Sequence, residues 1–107
     1  MAKLYITGVD IITQERKRHF DQEGWDNEHD DFHTEGQLAD AAACYALGED
    51  WRFLYQRKDE PEVMIMWPWG TSWWKPTPDD RIKELSKAGA LIAAEIDRLL
   101  RIKNEDL

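Results

Sequence analysis

Apolar residues recur at helical spacing in three stretches of this 107-residue chain, and lose that spacing between the second and third. In the first stretch Val9, Ile12, Arg16 and His19/Phe20 share one side of a helix predicted from about Val9 to Gln22. Glu23-Gly24 ends it, because glycine adopts the left-handed conformation of a helix terminus without steric penalty. The run WDNEHDDFH that follows has no period and reads as a loop. A second helix starts at the capping-box pattern Thr34-Glu35-Gly36-Gln37, where Thr accepts from a first-turn N–H and Gln reaches back. Leu38, Ala42 and Tyr45 form one face of it and Ala39, Ala43 and Ala46 a smooth neighbouring one; Gly48 follows Leu47 as the stop.

The third helix has the most consistent signals. Thr77 is a cap, Pro78 suits the first helical position, and Asp79 and Asp80 complement the positive helix end. Ile82, Leu85, Gly89, Ile92, Ile96 and Leu99 alternate steps of three and four, a single seam of coiled-coil type. Small residues from Ala88 to Ala94 predict close approach of the alanine-rich second helix, with Ala43 and Ala93 in the contact. Asp97 and Arg101 are placed as an i,i+4 pair. Between the second and third helices, Trp51–Arg57 and Val63–Trp67 are short extended runs joined by Lys58-Asp59-Glu60-Pro61, which reads either as a small hairpin or as an irregular loop. The predicted fold is therefore all-α: a single helical domain over 1–107 with a three-helix core.

Four of the six tryptophans lie in Trp67–Pro76, WPWGTSWWKP. Tryptophan combines a large apolar ring with one N–H that needs a partner when buried. This loop either plugs the core, or lines a pocket in which Trp67, Trp69, Trp73 and Trp74 stack on a ligand beside Lys75, or forms an exposed patch for a protein partner.

Charge narrows the function classes. The formal net charge is −8, which disfavours binding to DNA or RNA polymers and to anionic membranes. Residues 21–40 hold eight acids and no Lys or Arg, immediately after the basic Arg16-Lys17-Arg18. This stretch reads as a solvated edge, a cation site or an imitation of a phosphate backbone. The single cysteine, Cys44, lies in an apolar run and is expected to be a buried, inert thiol. No apolar run approaches membrane-spanning length, so a cytoplasmic protein is expected.

The densest group of ligand-type side chains is Glu28-His29-Asp30-Asp31 with His33. Imidazole and carboxylate suit zinc or manganese. The competing reading has His29 and an aspartate capping the next helix or pairing with Arg16 or Arg18. Glu15-Arg16 is either an exposed ion pair or an anion clamp in which Glu15 orients Arg16.

The stretches ERKRHFDQEGW (15–25), EHDD (28–31), GQLADAAACYAL (36–47), WPW (67–69), WWKP (73–76) and KAGALIAAEIDRL (87–99) together resemble a family of short, uncharacterised phage and prophage proteins. That resemblance implies a phage-type accessory protein acting inside a bacterial host cell. In helix order, and in a first helix ending near a Trp/His loop, the chain also remotely resembles MazG-like all-α nucleotide pyrophosphohydrolases. Those use paired acids on facing helices to hold magnesium. Here the second helix offers only Asp40, with Glu35 at its start, and Ala88–Ala94 contains no acid. The combined expectation is a protein without cofactor, metal or catalytic residues that sequesters a small nucleotide-like ligand, a host-defence signal being one candidate. Its expected contacts are Arg16, Trp25, His29, Asp30, Asp31, Trp67, Trp69, Trp73, Trp74 and Lys75. The alternatives are a metal-dependent nucleotide pyrophosphohydrolase and an acidic inhibitor of a host defence protein. The length of the third-helix seam further implies a homodimer or higher homo-oligomer.

Overall fold

A computed structural model describes residues 5–105 and, among them, an all-α fold with no strand. Helix α1, Gly8–Asp21, opens on a capping box that the sequence reading missed: Thr7 Oγ1 accepts from the Asp10 N–H at 3.3 Å, and the Asp10 carboxylate accepts from the Thr7 N–H at 2.9 Å. It ends as predicted, with Gly24 at φ 72°. The chain then turns back, and the Trp25 N–H donates to the His19 carbonyl at 3.0 Å. The supposed loop beyond is partly helical. Helix α2, Asn27–Asp31, is capped by Asp26, whose side chain accepts from the His29 N–H at 2.9 Å.

Helix α3, Gln37–Ala46, begins differently from the prediction. Gly36 at φ 81° precedes it, Thr34 makes no cap, and the Gln37 side chain reaches back only to the Glu35 N–H, at 2.7 Å. A left-handed glycine at this position swings Thr34 out of line with the first turn. The far end of α3 is closed by arginines. Arg81 donates to the Tyr45 carbonyl at 2.8 Å and to the Ala46 carbonyl, and Arg52 lies 3.3 Å from the Tyr45 carbonyl. These cations satisfy carbonyls that have no partner within the helix and complement its negative end.

The middle segment forms no hairpin. Glu49–Arg52 is a short helix, α4, followed by a 3-10 turn at Phe53–Tyr55. Only the isolated bridge Gln56–Met64 survives of the expected strand pair. The last helix, α5, runs from Arg81 to Glu105 without a break at Gly89. It starts later than Thr77-Pro78 because those residues form a turn, and Asp80 is the residue whose carboxylate accepts a first-turn N–H, that of Lys83 at 3.1 Å.

Helices α1, α2 and α3 all pack on α5. The core joins Leu38, Ala41, Ala42, Cys44 and Tyr45 of α3 to Ala88, Leu91 and Ala94 of α5, with Val63, Met64, Trp67 and Trp74 closing one end. The predicted alanine contact and the Asp97–Arg101 pair are both corrected here. Ala43 is exposed and Ala93 only half-buried, so the close contact uses Ala41, Ala42, Ala88 and Ala94 instead. The α5 seam does not face α3: Ile82, Leu85, Ile92, Ile96 and Leu99 are exposed, while Ile12 of α1 lies over Gly89. Asp97 and Arg101 do not pair. Arg101 reaches Asp31 at 2.6 Å, which ties α2 to α5, and Asp97 lies 3.8 Å from Arg16.

Candidate functional site

The return of the chain after α1 builds a hollow of about 390 Å³ between α1, α2, the Trp67–Pro76 loop and the buried side of α5. Its wall is a run of aromatic rings. The Trp25 ring contacts His19 (centroids 4.6 Å apart), stacks nearly parallel on His29 (5.6 Å, 9°) and faces Trp73 at 6.4 Å. His29 meets His33 edge-on at 4.9 Å, and His33 meets Trp69 at 5.1 Å. Trp69 then contacts Trp67, which packs against Tyr45. Rings from five parts of the chain thus surround one space.

The indole N–H groups separate core from pocket. Trp67 donates to the Gly70 carbonyl at 3.1 Å and Trp74 to the Glu62 carbonyl at 2.7 Å. The Trp69 Nε1 is buried and has no partner. A buried donor left unmade is costly, so its presence on a pocket wall is informative.

The electrostatics are set by which cations are already engaged. Arg16 holds the buried Asp30 at 3.0 Å, and the other oxygen of that carboxylate lies 3.0 Å from His29 Nδ1. Arg18 is held by Glu15 and, at 2.9 Å, by Glu23. Glu15 therefore orients Arg18 rather than Arg16, being one helical turn away from it. Lys75 and Lys87 also line the hollow, and neither ammonium has a carboxylate partner among the described residues. The Lys87 Nζ donates to the Lys75 carbonyl at 2.8 Å, and burial lowers its pKa. Burial also holds His19 down to about pKa 4 and lowers that of His33, so both rings are neutral at pH 7.

Of the predicted contacts, Arg16, Trp25, His29, Asp30, Trp67, Trp69, Trp73 and Lys75 line this hollow. Trp74 and Asp31 do not. Trp74 is a core residue, 9% exposed, and Asp31 points away to Arg101. The sequence reading gave no pocket role to Arg18, His19, Tyr45 or Lys87, and took His33 only as a member of the 28–33 metal-type cluster. For Arg18, His19, Tyr45 and Lys87 the one signal available was the buried i,i+4 relation of Glu15 and His19.

The 28–33 cluster is pulled apart by its own helix. Glu28 is exposed, Asp30 turns inward to Arg16, and Asp31 turns outward. Among the described residues no three His, Cys, Asp or Glu side chains converge as metal ligands. The acidic stretch likewise does not form one uniform surface: Asp26 is a cap, Asp30 is buried, and Glu23 and Asp31 are paired with arginines. No helix among the described residues is long and apolar enough to cross a membrane. The chain matches no known protein family, no curated protein and no solved structure.

Proposed function

We propose that this protein binds and sequesters a small nucleotide-like ligand in the aromatic hollow. The observation that supports this reading is the pairing of a ring-lined wall with two uncompensated lysines in a chain of net charge −8. Faces of Trp25, Trp69 and Trp73 suit a planar base, and base–aromatic stacking contributes roughly 1–3 kcal/mol per base. Lys75 and Lys87 sit at the edge shared with a more open polar groove, where a phosphate would meet them. The volume is at the small end of ligand sites, which favours a mononucleotide-sized ligand over a polymer.

Binding is favoured over turnover by the state of the acids. Both carboxylates that line the hollow, Glu23 and Asp30, are held by arginines. A general base needs a free, aimed lone pair. The sequence resemblance to phage proteins gives sequestration a context, removal of a host-defence signal.

The test is titration of nucleosides and their 5′-phosphates against intrinsic tryptophan fluorescence, with chromatography of the recovered ligand. Retention of an unchanged nucleotide, weakened about 5- to 150-fold by Trp25→Ala, supports sequestration. Recovery of a hydrolysed product would move the protein to the enzyme class. Absence of binding by every nucleoside and nucleotide in the panel would refute the proposal.

A further inference from the structure

We infer that the exposed seam of α5 is the interface of an antiparallel homodimer. This inference is independent of the ligand. Ile82, Leu85, Ile92, Ile96, Leu99 and Leu100 are 46–65% exposed, whereas Ala88, Leu91 and Ala94 on the opposite side are 2–3% exposed. The helix is thus apolar on both sides, and its larger apolar side chains face outward. A contiguous apolar strip left to solvent, on a helix whose other side is already core, marks a contact surface.

The seam follows coiled-coil spacing over seventeen residue steps, from Ile82 to Leu99. At about 1.5 Å per residue it is roughly 26 Å long. Ile12 of α1 fills the notch at Gly89, where a Cβ would lie 2.5 Å from its Cδ1, so the strip is continuous. Val9, one turn earlier on α1, is 73% exposed. A Leu or Ile side chain carries on the order of 100 Å² of apolar surface. These side chains, about half exposed, therefore offer roughly 400 Å² per copy. That is about the apolar share of a homodimer interface at the lower end of the stable range, roughly 600 Å² per partner. The overall shape agrees. The radius of gyration is 15.3 Å and the shortest dimension 22 Å. A compact chain of this length has a radius of about 13 Å.

The seam is complementary to itself when reversed. About a two-fold axis level with Ala90 and Leu91, Ile82 meets the second copy's Leu99, Leu85 meets its Ile96, and Ile12, where it covers Gly89, meets its Ile92. Every layer then contains a large side chain. Parallel pairing would set Ile12 against Ile12 at one level, whereas reversal sets it against the second copy's Ile92. The reversed arrangement closes at two copies, because the same patch is used on both sides.

Sedimentation equilibrium of the full chain at 50 μM is expected to give twice the 12.6 kDa chain mass. Ile92→Glu/Ile96→Glu should halve that mass while circular dichroism retains the helical signal. Register is read by mixing Leu85→Cys with Ile96→Cys under oxidation. The mixture should cross-link and neither variant alone should, since the native Cys44 is fully buried. A monomeric wild type at 50 μM would overturn the inference whatever the variants do. An unchanged mass for the double glutamate variant would exclude the seam, and cross-linking of Leu85→Cys alone would exclude the antiparallel register.

Discussion

Arg52 and Glu84 form an ion pair at 2.9 Å with side chains only 9% and 1% exposed. Glu84 also accepts from the Thr77 N–H at 2.9 Å and from Arg81 at 3.2 Å. Burial alone would raise its pKa, but these donors outweigh burial and lower it. One carboxylate therefore joins α4, the turn before α5 and the arginine that closes α3. Glu84→Gln leaves Arg52 buried without its counter-charge. It should lower unfolding free energy by about 3–5 kcal/mol in urea denaturation. A loss under about 1 kcal/mol would show that solvent reaches the pair.

His19 gives the fold a pH dependence of known sign. Its pKa is held down to about 4 by burial, against 6.5 for an ordinary histidine. The unfolded chain therefore takes up this proton first as pH falls. The stabilisation is complete above pH 6.5 and is lost between pH 6.5 and about 4, by up to roughly 3 kcal/mol. Urea midpoints measured at pH 7, 5.5 and 4.5 should fall, and the fall should flatten in His19→Gln. An equal slope in both proteins would assign the effect to other groups.

The tryptophans should divide into two classes in a melting experiment. Trp67 and Trp74 are 3% and 9% exposed, and each N–H is used by a backbone carbonyl. Truncating either to alanine should cost about 3–5 kcal/mol. Trp73, at 50% exposure, should cost far less. Trp69→Phe removes a buried donor that has no acceptor, so its melting temperature should be equal to or above wild type. A large loss for Trp69→Phe would mean that its N–H has a partner in solution.

Cys44 is fully buried, and burial raises its thiol pKa to about 11. An Ellman-type reagent at pH 8 should label it only after denaturation, because the thiolate is the reacting species. Labelling of native protein within seconds would contradict the α3–α5 contact.

Much of this architecture was legible in the chain because three helices carry period and punctuation. The position of Gly24, the continuation of α5 past Leu99 and the burial of Cys44 follow from local patterns. What failed has physical causes. The five residues of α2 are too few to show a period. The start of α3 was misread because Thr34 and Gln37 match a capping box in sequence while Gly36 takes a left-handed turn between them. On α5 the larger side chains point outward and the smaller ones inward, so hydrophobic size does not mark the face that α3 covers. Of the site, the tryptophans stood out by density. Tyr45 and Lys87 did not, because only tertiary packing brings residues so far apart in sequence to one wall.

The way α1, α2 and α3 each lean on α5 has a consequence for how the chain becomes a protein. Synthesis delivers this shared support after all three helices that lean on it. Until Arg81–Glu105 has emerged from the ribosome, α1, α2 and α3 lack the helix they pack against, and all six tryptophans are already made. The nascent chain is then sticky and without a core, and its closing contacts span long sequence separations, which slows folding. Successful maturation therefore depends on α5, which is translated after the three helices it supports.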